Sequence, residues 1–371
     1  MRILVADRLP DRFVEAMKGR GHECVVDVDL TEASLPGALA RADILVVRGT
    51  RVTASVFATA DSLRLVVRAG SGTNTIDCDE ASRAGVLVAN VPGRNSVAVA
   101  ELTLGLLLAV DRAIPDSTSE LRAGRWDKQR FSAVGRGLYG RSFGIVGLGN
   151  IGVAVAERAT AFGMRLFAQA KGSRSPEVSQ RIAELGIELV PDLVTLASKV
   201  DVLSLHVPLK AETRGMVGAE VLDALQPGIL LNTSRADVVD ADALIARLDA
   251  GELSAGLDVF PDEPGSGSAD WHSPLAAHPR VVGTHHVGAS TQQALEAVVD
   301  GLEEVINAFG RGELLNVVND PGQHSGHQVA ESGAARSAAS GTSAPGRARF
   351  RSRCSLRCRT SCWTMRAAAC P

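Results

Sequence analysis

Short apolar runs alternate with stretches of helical periodicity through the first ninety residues. Residues 3–6, 24–26, 44–47, 65–67 and 86–89 are rich in β-branched side chains and read as strands. Between them, 13–18, 35–40 and 79–84 follow helical patterns. Such alternation predicts a parallel sheet with helices on both faces. A long helix is predicted over 96–111. Its apolar faces fit burial between two layers, as a connection between domains.

From Gly140 a second series begins, with strand signals at 144–146, 166–168, 187–190, 202–206, 229–232, 256–259 and 281–283. Seven strands at this spacing suit a complete doubly wound nucleotide-binding domain. A further helix is predicted over 291–308, where Ala294, Val298, Leu302 and Val305 recur with roughly helical period. The expected fold is therefore α/β, with two doubly wound parallel-sheet domains.

Composition narrows the function classes. A chain of 371 residues, 45% of them hydrophobic, can bury two domain cores. A formal net charge of −3 gives no global attraction to nucleic acid or to an anionic membrane. The longest apolar run, 104–110, is far too short to span a bilayer. The first residues read as a strand followed by Asp7, not as the apolar core of a secretory signal. Only Cys24 and Cys78 lie outside the last stretch, so no disulfide framework is expected and a reducing cytoplasm is.

Past Asn319 the chain changes character. Residues 320–371 are rich in Ser, Gly, Ala and Arg, with eight arginines against Asp320 and Glu331, so this part carries +6 and the body −9. Such a composition buries little apolar surface and predicts a disordered basic tail. Cys354, Cys358 and Cys362 are spaced four apart, unlike the close cysteine pairs of zinc sites, and no metal is expected.

The most informative stretch is Phe143-Gly144-Ile145-Val146-Gly147-Leu148-Gly149-Asn150-Ile151-Gly152, where an apolar strand turns through glycines into a helix. In that context G-x-G-x-x-G reads as a dinucleotide site. Gly147 permits the tight turn, Gly149 lets backbone approach a pyrophosphate, and Gly152 lets helix and strand pack closely. The helix N-terminus then offers free N–H groups and a positive dipole end to the diphosphate.

Three further residues follow strand signals: Arg235 in Asn232-Thr233-Ser234-Arg235, Glu263 in Asp258-Val259-Phe260-Pro261-Asp262-Glu263, and His286 in Thr284-His285-His286-Val287-Gly288. Arginine holds a carboxylate bidentately and polarises an adjacent carbonyl. Histidine gives and takes a proton near neutrality, and a carboxylate on its other nitrogen fixes the tautomer. With a nicotinamide as hydride carrier, these groups suffice to interconvert a 2-oxo acid and a 2-hydroxy acid.

These contexts resemble the D-isomer-specific 2-hydroxyacid dehydrogenases, especially the phosphoglycerate dehydrogenases. The resemblance covers residues 1–319 and includes Arg68-Ala69-Gly70-Ser71-Gly72-Thr73-Asn74, Asn95-Ser96-Val97-Ala98-Val99-Ala100-Glu101 and His206-Val207-Pro208-Leu209 beside the segments above. It implies a split substrate domain (1–94 and 286–319) around an inserted dinucleotide-binding domain (95–285). It also implies a homodimer, or a dimer of dimers, joined through the cofactor domains. By resemblance Arg235 binds substrate, His286 is the acid and base, and Glu263 is its partner. The cofactor site would take in Gly147, Gly149, Asn150, Ile151, Gly152, Ala170, Lys171, His206, Val207, Pro208, Thr213, Thr233, Ser234, His286 and Gly288, with Asp258 by the nicotinamide carboxamide. Arg48, Arg68, Ser71, Gly72 and Asn74 would join Arg235 and His286 around the substrate.

The chain departs from the family at three places. Ala170 stands where many relatives carry an aspartate for the adenosine ribose, and Lys171 and Arg174 can pair with a 2′-phosphate, so NADP(H) is plausible beside NAD(H). His285 replaces the proline usual before the catalytic histidine, which implies a less rigid loop. No regulatory domain is expected after Asn319, hence no serine feedback. Gly70-Ser71-Gly72 can present successive N–H groups to a carboxylate. Arg48 and Arg68 add charge suited to a phosphorylated substrate, which favours 3-phosphoglycerate and a role in serine biosynthesis. A glyoxylate or hydroxypyruvate reductase is the alternative. A dinucleotide-sensing corepressor is the non-enzymatic alternative, since such proteins keep the same residues.

Overall fold

In a computed structural model the chain is described over residues 1–172, 174–264 and 268–321. The basic tail expected after Asn319 lies outside the described residues, apart from Asp320 and Pro321.

The first sheet contains β1 (Arg2–Val5), β2 (Glu23–Val26), β3 (Ile44–Val47), β4 (Leu65–Arg68) and β5 (Leu87–Asn90), all parallel, in the order β2-β1-β3-β4-β5. Period-two alternation divides its side chains between two cores. Leu4, Leu45, Val66 and Val88 pack with Leu35, Leu39 and Val56 on one face. Ile3, Ile44, Val46 and Val67 pack on the other with Phe13 and Met17 and with Val299, Leu302 and Ile306 of the helix Gln292–Gly310. The sheet of the first ninety residues is thus covered from both ends of the chain.

The second sheet runs β6 (Ser142–Val146), β7 (Arg165–Gln169), β8 (Glu188–Val190), β9 (Val202–Leu205), β10 (Gly228–Asn232), β11 (Leu253–Leu257) and β12 (Val281–Gly283). It is parallel, in the order β12-β11-β10-β9-β6-β7-β8. The helix Ser96–Asp111, where the sequence places it, packs Leu104 and Leu107 onto Phe143, Ile145 and Val155. Each sheet has a point where the strand order reverses, between β1 and β3 and between β6 and β9, and such crevices collect ligands in open α/β folds. Both doubly wound sheets expected from the sequence are therefore present.

One reading needs correction, and one stretch holds helices not expected from the sequence. The strand expected at 256–259 is Leu253–Leu257. Asp258, just past its end, still bonds the Asn232 carbonyl through its N–H at 2.9 Å, while its carboxylate turns to the loop 284–288. The helices Ile114–Arg122 and Lys128–Ser132 were not read from the sequence, and neither has a fully buried residue. In and around them Leu121, Trp126 and Tyr139 are exposed by 55%, 80% and 90%. Among the described residues no helix is long and apolar enough to cross a membrane.

Candidate active site

The glycine loop follows β6 at the second sheet's reversal point. Gly147 has φ +99°, and a side chain there would meet the His206 carbonyl oxygen at 2.5 Å, so only glycine fits. A side chain at Gly152 would collide with the Gly147 carbonyl. Gly149 is the N-cap of the helix Asn150–Ala161, gives no side-chain capping bond, and has open space where a Cβ would stand. The first-turn N–H groups of that helix therefore have no side-chain acceptor from Gly149, the arrangement that receives an anion. Asn150 faces Gly93, the turn leading into the long helix, and Ile151 packs into the core beneath.

The loop borders an open cleft of about 290 Å³ lined by Gly147, Gly149, Lys171, Arg174, His206 and Thr213. Ala170, exposed beside it, donates its N–H to Val190 and offers no side-chain acceptor. Arg174 is bonded to the Gln169 carbonyl and so is held at the rim. Val207 and Pro208 continue the opposite wall. The Thr213 hydroxyl donates to the Pro208 carbonyl at 2.7 Å and accepts the Lys210 N–H at 2.8 Å. Burial drives the His206 pKa down to about 3, so the ring is neutral; its Nε2 pairs with the Ser204 hydroxyl at 2.8 Å.

His286 follows β12 with φ +51°, a left-handed conformation that is uncommon for a non-glycine residue. Its Nδ1 bonds the Glu263 carboxylate, whose other oxygen accepts the Phe260 N–H at 3.0 Å. The Glu263 bond raises the His286 pKa above its ordinary 6.5, against the opposing effects of burial and of Arg235. Burial alone would raise the Glu263 carboxyl, but the bonds from His286 and Phe260 outweigh it and hold the carboxyl below its ordinary value. Asp258, almost fully buried, accepts the Thr284 hydroxyl at 2.6 Å and the Val287 and Gly288 N–H groups at 2.9 Å each. It thereby fixes the loop on both sides of His285 and His286, so the restraint does not depend on a proline at position 285. That loop-holding role was absent from the sequence reading.

Arg235 follows β10 in an extended conformation. Asn232, buried at the strand end, holds the turn: its oxygen accepts the Ser234 N–H and hydroxyl at 3.0 and 2.8 Å, and its nitrogen donates to the Arg235 carbonyl at 2.9 Å. Thr233 is buried against Thr103 of the long helix, hydroxyl to hydroxyl at 3.0 Å. These bonds send the Arg235 guanidinium across to the first sheet. A side chain at Gly72 would meet it at 2.9 Å and the Asn74 side-chain oxygen at 3.1 Å.

The first sheet answers with two more arginines. The Arg68 guanidinium lies against Gly70, and burial, with the charges of Arg235 and Arg48, lowers its pKa to about 10. Its Nε is buried without a hydrogen-bond partner among the described residues. Arg48 donates to the Ser290 hydroxyl at 3.3 Å, and Ser71 bonds Asn95 at 3.3 Å. Asp7, read from the sequence only as the end of the first strand, accepts the N–H groups of Arg48, Gly49 and Thr50 at 2.6, 3.1 and 3.1 Å and so fixes the loop after β3. The Arg68 guanidinium thus bears the cost of burial and of the neighbouring Arg235 and Arg48 charges, a cost that an anion between them would offset.

The profile described as "D-isomer specific 2-hydroxyacid dehydrogenase, NAD binding domain" matches residues 104–288. The hydroxypyruvate reductase of Thermotoga maritima is 35% identical over 313 residues, covering 83% of this chain and 98% of that one. The chain belongs to the D-isomer-specific 2-hydroxyacid dehydrogenase family. A D-3-phosphoglycerate dehydrogenase of Methanocaldococcus jannaschii is 39% identical over 326 residues, 86% of this chain. The chain spans 60% of that relative's length. Among solved structures, an NADPH-dependent glyoxylate/hydroxypyruvate reductase of Sinorhizobium meliloti in complex with citrate superposes with a TM-score of 0.73 at 31% identity, covering 85% of this chain and 97% of that one. The family expected from the motifs is thus the one to which the chain belongs.

Proposed function

We propose that this chain is an NAD(P)-dependent D-2-hydroxyacid dehydrogenase, acting in the cytoplasm, with 3-phosphoglycerate and its 2-oxo counterpart as the preferred pair and serine biosynthesis as its setting. The observation that carries this reading is the meeting of Arg235 with the Gly72 loop, beside the His286–Glu263 pair and two further arginines. The glycine loop, the open space at Gly149 and the cleft lined by Lys171, Arg174 and Thr213 fit a nicotinamide dinucleotide. That cofactor, when bound, supplies or accepts the hydride. Residues 1–94 with 286–319 serve as the substrate domain and 95–285 as the cofactor domain.

In this reading Arg235 holds the substrate carboxylate and polarises the neighbouring carbonyl. Arg48 and Arg68 take a second anionic group, with Ser71, Gly72 and Asn74 forming the floor. Because Nδ1 of His286 is engaged by Glu263, the proton moves at Nε2. In reduction the imidazolium gives that proton to the carbonyl oxygen; in oxidation the neutral ring takes it from the hydroxyl. Initial rates with 3-phosphoglycerate, hydroxypyruvate and glyoxylate, each with both cofactors, test the assignment. A hydroxypyruvate or glyoxylate rate well above the phosphorylated pair would favour the second reading, which the Thermotoga maritima and Sinorhizobium meliloti relatives support. Cofactor binding without turnover of any 2-hydroxy acid would favour a sensor.

Cofactor choice turns on Ala170. An aspartate there would bond the ribose hydroxyls of NAD and repel the 2′-phosphate of NADP; alanine does neither. Lys171 and Arg174 add attraction, but exposed charge pairs contribute only about 0–1 kcal/mol each. The wild type is therefore expected to prefer one cofactor by roughly tenfold or less, a tenfold step being about 1.4 kcal/mol. Ala170→Asp is expected to restore a clear preference for NAD in kcat/KM. A thousandfold discrimination against NADP in the wild type would show that another group reads the ribose.

The exposed apolar side chains of Leu121, Trp126 and Tyr139 support a homodimer joined through this part of the cofactor domain. Sedimentation equilibrium is expected to give a dimer, and Trp126→Glu to shift it toward monomer. A wild-type monomer at micromolar concentration would remove this part of the reading.

A further inference from the structure

β5 is the last strand of the first sheet, and its outer edge is covered by residues 316–319, which return there after the helix Gln292–Gly310. Val317 bridges Ala89 in antiparallel fashion, the Val318 N–H bonds the Val88 carbonyl at 2.9 Å, and the Asn90 N–H bonds the Asn316 carbonyl at 3.2 Å. Asn319 locks this contact. Its side-chain oxygen accepts the Val88 N–H at 2.7 Å, and its nitrogen donates to the Val86 carbonyl at 2.8 Å and the Ser82 hydroxyl at 3.1 Å.

At the other end of β5, the Asn90 side chain donates to the Ser71 carbonyl at 2.6 Å, and the Val91 N–H bonds the Gly70 carbonyl at 3.0 Å. Residues 70–72 form the turn on which the Arg235 guanidinium lands and against which Arg68 packs. One residue, Asn90, therefore bonds the returning segment through its backbone and the turn through its side chain. The Ser71 carbonyl points at Asn90, which turns the peptide N–H of Gly72 the opposite way, since the two groups of a peptide plane are antiparallel.

We propose that Asn90 is a positioning residue for the reaction, orienting the 70–72 turn toward the anion held by Arg235, and that residues 316–319 set its position. Through Asn319, anything that docks or displaces this segment would be felt at the substrate turn. The kinetic part rests on the dehydrogenase reading above; the mechanical part does not.

The test uses two near-isosteric variants of the full chain, Asn90→Asp and Asn319→Asp, each replacing donors with a carboxylate that faces a carbonyl oxygen. Hydrogen exchange is followed over 68–74, with steady-state kinetics in parallel. Both variants are expected to speed exchange over 68–74. They are also expected to raise KM for the 2-hydroxy acid by about two- to tenfold, the range for one hydrogen bond, while KM for the cofactor stays within about twofold. If Asn319→Asp does not fold, Asn319→Ser, which keeps one hydroxyl, replaces it. Faster exchange confined to 82–90 and 316–319, with 68–74 unchanged, would overturn the proposal, because a merely structural clamp moves only its own contacts. So would faster exchange over 68–74 with an unchanged substrate KM. Failure of the wild type to turn over any 2-hydroxy acid would count against the proposed function and leave the exchange result to decide the coupling.

Discussion

Replacing His286 by alanine is expected to lower kcat by about 10²–10⁴-fold, the usual contribution of a positioned acid–base group, with cofactor affinity near the wild-type value. The same change at His285 should cost far less, because only His286 bonds Glu263. Equal losses at the two positions would sink the assignment. The pair also fixes the pH behaviour. Oxidation needs the neutral ring, so its rate falls as pH drops through the His286 pKa; reduction needs the imidazolium and falls as pH rises through it. Because the Glu263 bond raises that pKa, both limbs lie above the ordinary 6.5. Glu263→Gln removes the charge, so both limbs should move to lower pH. Limbs that stay put in Glu263→Gln would mean that another group titrates.

Arg235→Gln carries the second large effect. A charge pair that is buried once substrate is bound typically costs about 2–5 kcal/mol when one partner is removed, which corresponds to a loss of roughly thirty- to several-thousandfold in kcat/KM for the acid. Arg235→Lys should recover only a small part, since an ammonium keeps the charge but not the fork that grips a carboxylate. The loss should appear in kcat as well as KM, because Arg235 also polarises the reacting carbonyl. Lysine restoring nearly full activity would show that charge alone is needed and that the geometry at Gly72 is incidental. Arg48 and Arg68 should behave differently. Their replacement should weaken a phosphorylated acid much more than glyoxylate, which has no second anion to hold.

The sequence carried the architecture because strands buried on both faces are written as uninterrupted apolar runs, and those runs survive without any knowledge of partners. The glycine loop was legible for a related reason: Gly147 and Gly152 are dictated by steric limits within a single strand–turn–helix unit. The bonds that hold the site in place were not legible. Asp258 reaches Gly288 across 30 positions, and Asp7 reaches Arg48 across 41. Neither acceptor leaves a local pattern, so Asp258 was read for the cofactor alone and Asp7 only as the end of the first strand. Asn232 could have been found, since an asparagine at a strand end followed by Thr-Ser-Arg is a turn signal with a side-chain acceptor. The helices at 114–122 and 128–132 were not read, and among the described residues neither has a fully buried side chain.

The central claim is that this chain moves a hydride between a nicotinamide and C2 of a D-configured acid, with Arg235 and His286 at that carbon. It is tested most directly by running the reduction with 3-phosphohydroxypyruvate, hydroxypyruvate or glyoxylate and a reduced cofactor deuterated at the transferring position. Each product is then examined for isotope and, where C2 is chiral, for configuration. The expected result is one deuterium at C2 of a D-2-hydroxy acid, formed by the wild type and at least about a hundredfold more slowly by His286→Ala. An L-configured product, a product without deuterium at C2, or no product from any of the three acids would contradict the account.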